Sequence, residues 1–392
     1  MISPSIRVAV VGYAQSPIVR RADRPVGAVA VDTARQAIAD AGLTVDMVDG
    51  FVASSLLPSA GGHQPIDGVS MVTPHWLARS LRANPSYAAG FDGVGQISGS
   101  VAMAVNAVSA GAADYVLVHR ALHNPAGSYH GNAMREVGGP LQWTAPQGFF
   151  GPLAMIALPY QEYLQRYGAT RESMASVVVE ARRNGAQLPW SYWYDRPLSV
   201  DDYLSEPELV DPVCRLDCDI PVDGVAAFVL TSEERARDLP NRPVYVAGCA
   251  GSPPAPHRLA MHWPLDDIMA GGEATVRKLW QQTGLSIDDV DLPQVYDGFA
   301  PFVWFWLEAL GICPTGEAHR FVDVGGISSE SGVPALSSGG ALGNGRMHGV
   351  PQMLECYLQL SRRAGKRQRD VSVGLACQAS PHYGGIVAYT SE

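Results

Sequence analysis

The chain lacks any uninterrupted apolar run of about 18 residues, the length a helix needs to cross a bilayer, because glycine, proline or a charge breaks each run. The opening stretch, "MISPSIRVAVVGYAQSP", holds an apolar run of about seven residues and then turns polar. That is too short for the core of a signal peptide, and it reads as a buried first strand. The expected location is the cytoplasm. Positive charge is also in deficit: the formal net charge is −10, which argues against wrapping nucleic acid or lying on an anionic membrane. Cysteine is sparse and irregular, at positions 214, 218, 249, 313, 356 and 377, with neither paired metal-ligand spacing nor the density of a disulfide framework. The nearest pair, "CRLDC" at 214–218, fits buried or loop cysteines better than a metal site. No metal is expected.

What is present describes a folded, loop-rich protein. Of 392 residues, 47% are hydrophobic and 17% charged, with 41 Gly and 29 Pro, enough for two core-forming units with connecting material. "IRVAVVGYA" predicts a strand and "GAVAVDTARQAIADAGL" an amphipathic helix ending at glycine. "VDGFVAS" predicts a second strand, "GQISGSVAMAVNAVSAG" a helix of small residues, and "ADYVLVHRA" a strand apolar enough to be covered on both faces. Between about 122 and 215 the alternation loosens into an excursion with helices of its own. "DGVAAFVLTSEERARDL" returns to strand and helix, and "PVYVAGCAGS" opens a second series that runs to "VSVGLACQASPHYGGIVAYTSE". The resulting division is an N-terminal half, 1–121 with 216–242, a loop domain, 122–215, and a C-terminal half, 243–392.

One turn stands out. "GNGRMHG", 343–349, places Arg346 and His348 among glycines just before the helix-like "VPQMLECYLQLSRRAG". A Gly-rich turn at a helix start is an ordinary backbone device, and by themselves His348 could cap the turn and Arg346 pair with Asp297. The helix 95–111 is likewise either a closely packed central helix or a catalytic one.

Several segments taken in order separate these readings. "SGSVAMAVNAVSAGAADYVLV", "DPVCRLDCDIPVDGVAAFVLTSEERARDL", "QVYDGFAPF" and "SSGGALGNGRMHG" together resemble the thiolase superfamily over nearly the whole length, and specifically the thiolase-like part of sterol carrier protein x and its bacterial lipid-transfer-protein relatives. The resemblance implies an α/β fold of five layers, αβαβα, built from two related halves with an inserted loop domain, usually dimeric and acting on acyl-coenzyme A thioesters. Thiolases and condensing enzymes need a cysteine thiolate at the start of the central helix. Here gapless counting puts Val94 there, a shifted register puts Gln96 there, and no cysteine precedes Cys214. Where thiolases carry Asn-Glu-Ala-Phe this chain has Tyr296 and Asp297, and where they carry Gly-His-Pro it has Arg346, with His348 two residues on.

Tyr-Asp-x-Phe with Gly-Arg-x-His-Gly is similar to the steroid side-chain aldolases of the lipid-transfer-protein group. These resemble thiolases in fold but cleave a carbon–carbon bond of a β-hydroxyacyl-coenzyme A without a covalent intermediate. The resemblance implies Tyr296, His348, Asp297, Arg346, Tyr383 and Cys377 as catalytic candidates, with His382 beside Tyr383. Asn344, Gly345, Gly340 and Gly349 line the thioester as the backbone closes on it. It implies no cofactor beyond the coenzyme A of the substrate. The implied partners are a second copy of the chain, meeting near "ADYVLVHRA" or its neighbour, a DUF35 OB-fold protein, and through it a MaoC-like hydratase. The aromatic segments "QGFF", "PWSYWYDRP" and "PFVWFWLEALG" either line a wide apolar pocket or form core or dimer face. Two other functions remain open, an acyltransferase or condensing enzyme with another nucleophile, and a non-catalytic subunit that binds lipid or acyl-coenzyme A.

Overall fold

The computed structural model describes residues 6–54, 72–91, 97–123, 138, 142–149, 151–251, 263–330 and 332–392. Val94, Gln96, Phe150 and most of "GSYHGNAMREVGGPLQW" lie outside the described residues. The first half contributes strands β1 (Val8–Gln15), β2 (Gly50–Ser54), β3 (Tyr87–Phe91) and β4 (Tyr115–Leu122), with helices α1 (Val26–Asp40), α2 (Pro74–Leu81) and α3 (Ile97–Ser109) between them. The excursion follows, with α4 (Gly151–Tyr167), α5 (Arg171–Gly185), α6 (Val200–Ser205) and the short hairpin β5 (Glu208–Val210) and β6 (Val213–Cys214). Then come β7 (Gly224–Ser232), α7 (Glu233–Ala236), β8 (Val244–Gly251), α8 (Leu265–Thr283) and β9 (Leu292–Gln294). The chain ends with α9 (Pro301–Ala309), α10 (Ala318–Asp323), α11 (Gly340–Asn344), α12 (Val350–Leu360), β10 (Val373–Gln378) and β11 (Gly385–Thr390).

Nine strands run in the order β3-β2-β4-β7-β1-β8-β11-β10-β9. Outward from the centre, each half repeats one plan. Its first strand lies antiparallel to its last, the last antiparallel to the one before it, and that one parallel to the second strand. The two arms meet through β1 and β8, at Ala9 opposite Tyr245 and Val10 opposite Val244.

Apolar clusters define the layers. α1 and α2 pack on the outer face of the first arm, through Ala30, Ala34, Ile38 and Leu77 against Phe51, Leu117 and Val229. α3 and α12 lie between the arms, where Val101, Ala104, Met353 and Tyr357 meet Val116 and Phe228 of one arm and Ala376 and Val387 of the other. α8, α9 and the helices α4 and α5 cover the outer face of the second arm. The small residues of α3 suit it to the middle layer, where a helix must accept neighbours on all sides.

One expectation changes here and one open choice is decided. "ADYVLVHRA" is β4, an interior strand between β2 and β7, and the outer edge of that arm is β3, "YAAGF", whose alanines and glycine give no strand pattern. "PFVWFWLEALG" is core rather than pocket, because α9 is buried all round, with Trp304 and Trp306 fully enclosed. Burying an indole of about 200 Å² is worth roughly 5 kcal/mol of transfer free energy.

α5 bears directly on the turn at 343–349. A Cβ on Gly185 would lie 1.8 Å from the carbonyl oxygen of Gly343. Ser191 Oγ donates to that carbonyl at 2.7 Å, and the Tyr192 amide donates to the Asn344 carbonyl at 3.1 Å. Gly185→Ala is therefore expected to force α5 and the turn apart and lower stability by about 1–3 kcal/mol, read from the urea midpoint of unfolding.

Candidate functional site

The turn is built around one carboxylate. Asp297, just beyond β9, is fully buried and accepts from the Ala341 amide at 2.6 Å, the Leu342 amide at 3.0 Å and Gln352 Nε2 at 3.2 Å. These donors stabilise its charge, while burial, the larger influence, raises its pKa to about 7. Gly340 is left-handed, with φ of 56°, and a Cβ there would lie 2.0 Å from the Asp297 carboxylate. Only glycine fits. Asn344 Nδ2 donates to the carbonyls of Ser338 at 2.7 Å and Gly340 at 2.8 Å. Gly345 presses on Val222, and Gly349 presses on Gln378, which accepts from the Ser98 amide of α3 at 2.7 Å.

Asp297, Asn344, Gly340, Gly345 and Gly349 thus hold the turn in place. The three glycines and Asn344 have a structural duty in this turn. Their close approaches are to Asp297, Val222 and Gln378, and the Asn344 amide is spent inside the turn. Asp297 likewise accepts from the backbone of the turn.

Beyond Gly345 the turn presents Arg346 and His348. His348 has φ of 49°, an uncommon conformation for a residue with a Cβ and of the kind concentrated at functional sites. Its Nε2 faces Arg346 Nε at 2.6 Å, and its Nδ1 faces Nη2 of Arg120, on the buried face of β4. Burial first, then the two guanidinium groups, hold its pKa well below the ordinary histidine value. The imidazole is therefore neutral and wedged between two cations. The neutral ring also works as a spacer that fixes both arginines, since an imidazolium there would meet two like charges. Arg120 and Arg346 are also pushed down by burial, to about 10 and about 9.

Tyr296 is buried beside them. Its hydroxyl folds against Gly298, where a Cβ would lie 2.5 Å from it. Burial raises its pKa, and Asp219, Tyr383 and Asp297 raise it further, while Arg120 lowers it. Tyr383, in the loop after β10, packs its ring on Trp263 with centroids 5.0 Å apart and feels both Arg346 and Asp219. Its neighbour His382 turns to Ser380 Oγ at 2.8 Å and to Trp263. Cys377 sits fully buried in the apolar cluster of the second arm, to which Tyr296 also belongs, and burial alone pushes its thiol up. "CRLDC" holds two free cysteines, and no group of side chains suited to a metal occurs among the described residues.

Two members of the cluster are new relative to the sequence reading. Arg120 lies near the end of an apolar strand, and its one signal is the pair His119-Arg120, which strand alternation sends to opposite faces. Asp219 lies 3.8 Å from Arg346 Nε. It is one of three acidic residues before β7, alongside Asp217, which is bound by the Tyr203 hydroxyl at 2.6 Å, and Asp223, which pairs with His123 at 3.1 Å. Sequence offers nothing to tell the three apart.

Two guanidiniums, two phenols and a carboxylate thus gather around the turn that precedes α12. The family model for the thiolase C-terminal domain-like group matches residues 266–388. The 17-hydroxy-3-oxo-4-pregnene-20-carboxyl-CoA lyase of Mycobacterium tuberculosis is 30% identical over 368 residues, covering 90% of this chain and 91% of that protein. The chain belongs to the thiolase-like aldolase family. The steroid side-chain-cleaving aldolase of Thermomonospora curvata, also in that family, is 30% identical, with 93% of both chains covered. The solved Ltp2-ChsH2(DUF35) aldolase superposes with a TM-score of 0.86 at 27% identity, over 99% of this chain and 98% of that one. No covalent thioester on Cys377 is expected in such a protein. Cys377→Ala is expected to lower stability by about 1–2 kcal/mol through the small cavity it leaves, with the turnover of the folded protein within about threefold of wild type.

Proposed function

We propose that this protein is a coenzyme A thioester retro-aldolase, cleaving a β-hydroxyacyl-coenzyme A with a bulky, steroid-like alcohol carbon into an acyl-coenzyme A and a ketone. The observation that carries the reading is the cluster itself. Arg120 and Arg346 are held apart by a neutral His348 and stand beside the Tyr296 and Tyr383 phenols, while the thiol of Cys377 is sealed in apolar core. In a retro-aldol cleavage the β-hydroxyl proton leaves to a base, the carbonyl forms, and the electron pair of the broken bond passes into the thioester as an enolate. Guanidiniums in a dry site stabilise that charge far more than they would in water. A phenol next to the α-carbon then supplies its proton. The reaction needs no metal and no redox group, and coenzyme A enters as part of the substrate.

The relative from Mycobacterium tuberculosis supplies the probe, 17-hydroxy-3-oxo-4-pregnene-20-carboxyl-CoA. Cleavage between the hydroxyl-bearing carbon and the α-carbon gives a 17-ketone and a three-carbon acyl-coenzyme A. Tyr296→Phe keeps the ring and deletes the hydroxyl. It is expected to lower kcat by roughly 10²-fold or more with KM nearly unchanged, measured by chromatography of both products. Near-wild-type turnover would remove Tyr296 from the chemistry, and no turnover by the wild type would send the search to another β-hydroxyacyl-coenzyme A.

Assembly follows the same reading. A DUF35 protein is the proposed partner, because the solved aldolase neighbour is a complex with one. A β-hydroxyacyl-coenzyme A forms by hydration of an enoyl thioester, so a MaoC-like hydratase is the proposed upstream companion. We place the reaction in the cytoplasm; no described helix is long and apolar enough to cross a membrane. The half-buried strand β3, with one edge unpaired among the described residues, is the proposed seam of a homodimer. Light scattering is expected to give twice the chain mass of 41.8 kDa, and a monomer at micromolar concentration would overturn the seam.

A further inference from the structure

The two buried aspartates of the site are treated in opposite ways. Asp297 has its carboxylate saturated by two amides and a side-chain amide. Asp219 is nearly as buried, yet among the described residues its carboxylate accepts no hydrogen bond, and its one ion pair is with Arg346 Nε at 3.8 Å. A buried carboxylate without donors is costly, and native interiors rarely leave one so. It is also held firmly in place. The Asp219 amide donates to the Gly298 carbonyl at 3.2 Å, the adjoining Cys218 forms a bridge to Phe299, and the Ile220 carbonyl accepts from the Arg346 amide at 2.9 Å. Asp219 is thereby pinned between Gly298, against which the Tyr296 hydroxyl rests, and Arg346.

We infer that Asp219 is the catalytic base, its open carboxylate oxygens receiving the proton of the substrate β-hydroxyl. The inference rests on the retro-aldol reading. The proton passes from the hydroxyl to Asp219, the carbon–oxygen bond becomes a carbonyl, and the Cα–Cβ bond breaks with its electron pair moving into the thioester enolate. The α-carbon takes the Tyr296 proton, and Asp219 returns its own to the phenolate, so no net proton is consumed. Burial and then Asp297 raise the Asp219 pKa, which strengthens its ionised form as a base. The other titratable groups around it are Tyr296, Tyr383, Asp297 and Cys218.

The test uses the full chain and the steroid thioester probe. Asp219→Asn is expected to lower kcat by roughly 10²-fold or more with KM within a few fold, and to abolish the acid limb of the pH–rate profile. In Asp219→Ala, added formate is expected to restore part of the rate, which a merely structural residue would not allow. A binding measurement separates this inference from the proposed function. The wild type is expected to bind the probe about tenfold or more tighter than its 17-deoxy analogue, and Asp219→Ala to lose that preference. Loss of the preference with no cleavage by the wild type would sink the retro-aldolase reading and leave Asp219 as the hydroxyl acceptor. An unchanged preference, a full rate in Asp219→Asn, or a loss in Asp219→Ala that formate does not relieve would overturn the assignment.

Discussion

The seating of the Asp297 carboxylate on the amides of Ala341 and Leu342 is the constraint from which the rest of the site follows. It spends a buried negative charge on the first turn of a five-residue helix too short to persist alone. In return the chain leaves that helix in one direction only, through Gly345 with φ of 105°, so that Arg346 and His348 project toward β4. Gln352, reaching back from α12 to Asp297 and to the Val295 carbonyl at 3.1 Å, ties the following helix to the same point. Remove the charge, and the amides, the turn and the two arginines lose their common reference.

Charge management explains the composition of the cluster. Two guanidiniums beside each other repel, and a neutral imidazole between them, accepting from one and crowded by the other, is an economical way to keep both dry and close. The strained backbone of His348 is consistent with that duty. On the proposed retro-aldol reading a field takes the place of a nucleophile: fixed positive charge meets electrons that arrive from a breaking bond.

Much of the scaffold was legible in the sequence because it follows from periodicity. β1, α1, β4, β7, β8 and α12 each carry an apolar pattern that matches their burial. β3 was not, since "YAAGF" has neither branched residues nor alternation and becomes a strand through pairing with β2. Within the site, Tyr296, Arg346 and His348 were legible through the motifs at 295–299 and 343–349. Asp219 and Arg120 were not, because their importance lies in what surrounds them after folding: a missing hydrogen-bond donor for one and an imidazole from the other half for the other. Cys377 looked chemical in sequence, and strand alternation turns it into an apolar layer that sequence alone did not announce.

The repeated strand order of the two arms has a bearing on how the chain tolerates recombination. Arg120 and Asp219 come from the first arm and its approach segment, whereas Tyr296, Arg346, His348 and Tyr383 all come from the second. The architecture is duplicated, but the chemistry is not: each arm carries a complementary fraction of one constellation, joined in register at Arg120 against His348 and at Ile220 against Arg346. A chimera that exchanges one arm with a relative's inherits a sound fold and a broken set of partners unless both sides of those contacts travel together, so the seam between the arms behaves as a single heritable unit.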